Sequence, residues 1–282
     1  MAYSTQENEK TADSRHSAPR GKTDMENTYT PIRVLLRAMS LLAVLALCAP
    51  VHAAIVNYPG TLTGDTVEYF NISEDSGTDP SPLFEQRPGG PTITGDTLVF
   101  QPTANFSAYA PQGAQNADTT DGLLTFTIRA LEGYWIDLVT LFEGGAYSLL
   151  AVNGASAAAQ ATGIMYNFDD PTQSANISAQ ATTTANPSPF FIVAPANDVA
   201  SESDGWVGTA TLDFTGMEIT EVTIRLDNTL QAAASDGGTA FIDKKHFSIT
   251  TTTSLIPEPG SLVLMGMGAA MLLVRNRRRH DA

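Results

Sequence analysis

The chain has 282 residues, a formal net charge of −15 and a single cysteine. Residues 54–256 carry 23 Asp and Glu against 5 Lys and Arg; phosphate recognition needs the opposite balance, so nucleic acid is excluded as a partner. Cys48 is the one thiol, and His246 is the one histidine between residues 54 and 256, which leaves that stretch without a disulfide, a thiolate nucleophile or a multi-histidine zinc site.

Residues 1–30 are polar, lack periodic apolar positions and are expected to be a disordered extension. Residues 31–53 then combine Arg33 and Arg37, an apolar core of 12 residues from Ala38 to Ala49, and the small-residue site Val51-His52-Ala53 before Ala54. That order is the three-part pattern of a secretory signal peptide, with cleavage expected between Ala53 and Ala54. The positively charged region is long, and Met25 is an alternative start. A permanent anchor is the competing reading, although the core is short against the ~20 residues of a spanning helix. A lipid-modified Cys48 is disfavoured by the bulky Leu47 before it.

From residue 54 to 255 the period is two. Leu124, Phe126, Ile128 and Ala130 alternate with Thr125, Thr127 and Arg129. Trp206, Gly208, Ala210, Leu212 and Phe214 oppose Val207, Thr209, Thr211 and Asp213, and Val222, Ile224 and Leu226 oppose Thr223, Arg225 and Asp227. Half-buried strands give this pattern. Asn153-Gly154 predicts a hairpin turn, and Asp121-Gly122, Asp204-Gly205 and Asp236-Gly237 predict further turns. The expectation is an all-β, two-sheet antiparallel sandwich of about ten to twelve strands, jelly-roll-like, flanked by an N-terminal signal helix and a short C-terminal transmembrane helix.

One short repeat stands out: TLTGDTV at 61–67 and TITGDTL at 92–98. It predicts two similar turns, or equivalent edges of two sheets with Asp65 and Asp96 near a cation. Residues 171–189 are rich in Thr, Ser, Asn and Ala and are expected to form an exposed loop or hairpin tip.

No nucleophile elbow, zinc-protease motif or phosphate-binding glycine loop is present, so no catalytic residue and no enzyme activity is expected. Glu132, Asp137 and Glu143 lie near Tyr134 and Trp135, a mixture that suits sugar; Tyr134 and Trp135 are the candidate ligand-binding pair. No cofactor is expected, and calcium is the metal that the acidic groups Glu74-Asp75-Asp79, Asp118–Gly122 and Asp169-Asp170 suit best. His246, beside Lys244 and Lys245, is expected on a strand face.

The C-terminus has three parts in order. Pro257-Glu258-Pro259 is expected to be extended and helix-free. Residues 260–274 are uncharged and mostly apolar, and as a helix would reach roughly 22 Å, enough to span a bilayer with thinning or arginine snorkelling. Arg275, Arg277, Arg278 and Arg279 would hold their end in the cytoplasm, leaving the acidic body outside. Over residues 256–279 this arrangement resembles the PEP-CTERM sorting signal, departing only in its methionines at 265, 267 and 271. The resemblance implies handling by an exosortase, a membrane enzyme of Gram-negative bacteria that make extracellular polysaccharide, with a cut near Pro257–Pro259 and release or attachment at the surface.

The expected function is therefore that of an exported surface or matrix protein, held in the inner membrane during sorting. Its sandwich would be a non-enzymatic structural or adhesive module associated with exopolysaccharide or biofilm. The alternatives are a carbohydrate-binding module using Tyr134, Trp135 or Trp206, and a secreted hydrolase with a hidden carboxylate pair.

Overall fold

Alternating apolar and polar residues become strands along the whole body. A computed structural model describes residues 55–113 and 115–257, together with the single residue Met267. The extension 1–30, the signal segment 31–53, Ala53 and Ala54, and the segment 260–274 apart from Met267 lie outside the described residues. In chain order the strands are β1 (Val56–Tyr58), β2 (Leu62–Thr63), β3 (Val67–Asp75), β4 (Thr92–Thr94), β5 (Thr97–Phe100) and β6 (Ser107–Ala110). The long strands follow: β7 (Asn116–Ala130), β8 (Tyr134–Val152) and β9 (Ser156–Asn167). After the short β10 (Ser174–Asn176), β11 (Ser178–Ala181) and β12 (Phe190–Val193) come β13 (Val199–Asp213), β14 (Glu221–Ala234) and β15 (Gly238–Leu255).

The strands form two antiparallel sheets. One has the order β1-β3-β7-β14-β9-β10, with β2 on β3 and β12 on β9; the other has the order β11-β13-β8-β15-β5-β4, with β6 on β15. Successive long strands β7, β8, β9, β13, β14 and β15 alternate between the sheets, so each pairs with partners distant in sequence. The structure supplies the strand order that the expectation of a jelly-roll-like sandwich left open. Inward positions from both sheets, among them Phe126, Ile128, Val139, Leu141, Trp206, Ile224 and Phe247, build one continuous core. Burying them is the main favourable term in folding a body without disulfides.

Several local expectations are corrected. Asn153 and Gly154 do turn the chain, both at positive φ (55° and 85°), with the Ala155 amide bonded to the Val152 carbonyl at 3.0 Å. The turn is no hairpin, because β8 enters it from one sheet and β9 leaves it in the other. Asp236-Gly237 likewise carries β14 of one sheet into β15 of the other. Asp121-Gly122 and Asp204-Gly205 are not turns: they lie inside β7 and β13. Gly122 is there because a Cβ would crowd the Phe84 ring, 2.9 Å away. Residues 171–189 are more than a loop, since alternating Ala175, Ile177, Ala179 and Ala181 let β10 and β11 extend one edge of each sheet.

The repeat forms β2-β3 in one sheet and β4-β5 in the other, equivalent hairpins at facing edges. Asp96 joins them: its Oδ1 accepts from the Thr66 amide at 2.8 Å and its Oδ2 from the Thr66 hydroxyl at 2.6 Å.

Candidate functional site: the end of the last strand and the polar cluster in the core

Strand β15 leads the body into the C-terminal segment. Its pairing with β8 runs to the end, with Ser254 opposite Trp135 and Leu255 opposite Tyr134. The Ile256 amide makes one more bond, to the Gly133 carbonyl at 2.8 Å. Pro257 then stands exposed. Glu258, Pro259, Arg275, Arg277, Arg278 and Arg279 lie outside the described residues. The ordered sheet thus stops immediately before the Pro-Glu-Pro stretch, with no spacer between.

Tyr134 and Trp135 are each half-buried. As neighbours on one strand they point to opposite faces of the pleat, so they do not make one aromatic platform. Trp206 is 1% exposed, in the core, and its indole N–H donates to the Asp243 carbonyl at 2.9 Å; it presents nothing to a ligand. The carboxylates near this segment are likewise not brought together. Glu132 is exposed and Glu143 fully buried, while Asp137 accepts from the Ser254 hydroxyl at 3.0 Å. Asp137 and Glu143 lie six residues apart on β8, about 20 Å along a strand, far beyond the roughly 5–9.5 Å of a glycosidase pair.

The acidic groups suggested for calcium have internal partners. Glu74 is buried and accepts from the Tyr58 hydroxyl and from the Leu83 and Phe84 amides, the latter at 3.1 and 2.7 Å. Desolvation raises its pKa against those three hydrogen bonds, which lower it. The crevice beside Glu74, Asp75 and Asp79 has no room for a water molecule. Asp118 accepts from the Tyr109 amide and Asp170 from Thr172. Among the described residues no group of three or more His, Cys, Asp or Glu could hold a metal ion. Two open grooves, of about 460 and 560 Å³, are lined around Phe191 and around Tyr58 without a carboxylate or histidine. Among the described residues, no helix is long and apolar enough to cross a membrane.

The feature that sequence reasoning missed lies between the sheets. Glu143 of β8, Asn228 of β14 and Lys244 of β15 all point inward and are 0%, 0% and 3% exposed. Lys244 Nζ donates to Glu143 Oε2 at 2.6 Å and to Asn228 Oδ1 at 2.5 Å. Asn228 Nδ2 donates to the same Glu143 Oε2 at 2.6 Å. Glu143 Oε1 is buried without a hydrogen-bond partner. The rings of Phe106, Phe247 and Phe84 surround the amine, their centroids 4.3, 5.2 and 5.7 Å from Nζ. A β-bulge at Lys244/His246 makes this possible: inward positions Ala240, Ile242 and Lys244 are followed by Phe247 and Ile249, an odd step that a regular strand does not allow. Lys245 and His246 are left exposed, His246 on the strand face as expected. The signal was in the alternation, which continues from Leu226 through Asn228 to Leu230 and from Leu141 to Glu143.

No curated protein matches the chain. Among solved structures, it is similar to the VP2 subviral particle of infectious bursal disease virus at 14% identity, over 76% of this chain and 59% of that one, with a TM-score of 0.13. A structure of the Gt strain of the same virus is 14% identical over 72% of this chain and 53% of that one, with a TM-score of 0.12. Likeness at such TM-scores carries no argument about fold or function. Residues 255–279 match the family model of the PEP-CTERM protein-sorting motif, beginning at the last residue of β15. The chain therefore carries a PEP-CTERM protein-sorting motif, which marks it as an exported protein sorted through the membrane by an exosortase-type enzyme.

Proposed function

We propose that residues 31–53 export the chain and that residues 260–274 hold it in the inner membrane while the exosortase-type enzyme acts near Pro257–Pro259. The sandwich then serves, at the cell surface or in an exopolysaccharide or biofilm matrix, as a non-enzymatic structural or adhesive module. The observation that carries this reading is the abrupt junction: pairing persists to Leu255 and Pro257 is exposed. On this reading the enzyme acts within a few residues of the last paired position of β15. The internal satisfaction of Glu74, Asp96 and Asp118 further supports a structural role for the acidic residues.

Replacing Pro257, Glu258 and Pro259 together by alanine tests it. The expected result is a folded protein that keeps its C-terminal tail and stays in the membrane fraction. Processing and distribution identical to the parent's would sink the reading.

A carbohydrate-binding role has one observation in its favour, further along β8 from Tyr134 and Trp135. Thr97, Thr250, Thr140 and Thr211 pair in register across β5, β15, β8 and β13, and Phe142, two residues beyond Thr140, is 45% exposed. A ring beside a row of hydroxyls is a surface on which a sugar chain can stack. Phe142→Ala should reduce co-sedimentation with the producing cell's polysaccharide several-fold, while Trp135→Ala leaves it unchanged. Equal retention by both variants would remove Phe142 as the contact.

A further inference from the structure

The geometry points to Lys244 and Asn228 as the two halves of an intramolecular isopeptide bond, formed by the folded protein itself with Glu143 as the catalytic residue. An amine, a carboxamide and a carboxylate meet with every polar separation between 2.5 and 2.6 Å. Nζ lies against the carbonyl end of Asn228, the end it must attack, and Nδ2 lies against Glu143 Oε2, the atom that must protonate the leaving group. One carboxylate oxygen touches both nitrogens.

The step balances without an outside reagent. Lys244 passes one proton of its ammonium to Glu143 Oε2, and the freed lone pair attacks Asn228 Cγ. The electrons of the C=O bond move to Oδ1. Oε2 then gives its proton to Nδ2, the Cγ–Nδ2 bond breaks with its electron pair on nitrogen, and ammonia leaves. As the carbonyl re-forms, Glu143 takes a second proton from Nζ. An ammonium, a carboxylate and a primary amide have become a secondary amide, a carboxylic acid and ammonia. No charge is gained or lost and nothing is oxidised.

The surroundings favour this outcome. Two opposite charges held away from water carry a heavy desolvation penalty, and the reaction replaces both with neutral groups. Burial pulls the amine of Lys244 below the usual lysine range, while Glu143 raises it again; a less basic amine yields its proton and becomes a nucleophile more readily. Glu143 Oε1, which has no partner, no longer carries part of a charge once the carboxylic acid forms. The three phenyl rings exclude the water that would hydrolyse the new bond. The link would join β14 in one sheet to β15 in the other, the strand that runs into the sorting motif. It would give a body without cysteine a covalent brace. The inference is independent of the sorting reading.

Peptide mass spectrometry of the protein purified from the exporting cell decides the matter. The peptide spanning Leu226–Lys245 is expected one ammonia lighter than its sequence. After aspartate-directed cleavage before Asp236, the piece with Asn228 is expected to stay joined to the piece with Lys244. Glu143→Gln should restore the full mass and separable pieces in a chain that is still folded by circular dichroism. Asn228→Asp should keep the link but lose water in place of ammonia, which covers the case in which Glu143→Gln fails to fold. A parent peptide of full mass would overturn the proposal. So would an ammonia loss whose pieces separate, since that is a succinimide at Asn228. A folded Glu143→Gln that still links would overturn the role given to Glu143.

Discussion

Asp227 and Asp121 are held close on adjacent strands of one sheet. Desolvation first, and then the charge of Asp121, raise the pKa of Asp227. The sign follows from linkage: an acid whose pKa is higher folded than unfolded binds more protons in the folded state, so stability falls as pH rises through the carboxylate range. Asp227→Asn removes that loss. The pair is largely solvent-screened, so the gain is about 0.5 kcal/mol at neutral pH, or about 1–2 °C in Tm. Thermal melts at neutral pH and below the carboxylate range check this; the variant's advantage should vanish at the lower pH, where Asp227 is protonated. Asp204 shows the opposite sign. Hydrogen bonds from the Thr183 hydroxyl and amide lower its pKa, so the stability it contributes is present above the unfolded carboxylate pKa and is lost as pH falls through the lowered value. At this scale the sequence was half legible. The apolar side of each strand could be read by counting in twos, yet the same count places Asn228 and Glu143 inside, where polarity argued for the surface. Lys244 was harder, because the bulge after it changes the parity and nothing in Lys244-Lys245-His246 announces a bulge.

At the level of the elements, β15 packs against β8 at Gly145 with no space for a side chain. A Cβ there would enter the van der Waals shell of the Asp243 carbonyl oxygen and crowd the Trp206 indole nitrogen at 2.9 Å. Both neighbours are fixed, one being backbone and the other buried. Gly145→Ala is therefore expected to cost at least about 3 kcal/mol, or roughly 6–12 °C in Tm, measured by thermal unfolding. A loss below about 1 kcal/mol would show that the two strands can part there freely. Strand identity was legible because hydrophobic period survives in a single sequence. Strand partnership was not. Asn153-Gly154 looks the same whether the chain returns to its own sheet or crosses to the other, because the local φ values are alike and only distant partners decide. Asp-Gly inside β7 and β13 misleads for a related reason: glycine serves close packing as well as turning. Residues 171–189 hid two strands because alanine, with little β-propensity, forms their inward side.

On the scale of the whole molecule, three properties fit one another. The body is strongly acidic and lacks cysteine, its long strands cross between the sheets at each step, and its last strand ends where the sorting motif begins. Crossing connections tie the two sheets through many non-local pairings, a topology that folds slowly but resists unravelling from one end. The surface module proposed above would benefit from that, and from the proposed brace between β14 and β15. The most direct measurement is mass spectrometry of both termini of the native protein, in cells and in medium. The account predicts an N-terminus at Ala54 and a C-terminus near Pro257–Pro259. An intact tail through Arg275 and Arg279, confined to the membrane fraction, would contradict it and leave a plainly anchored ectodomain.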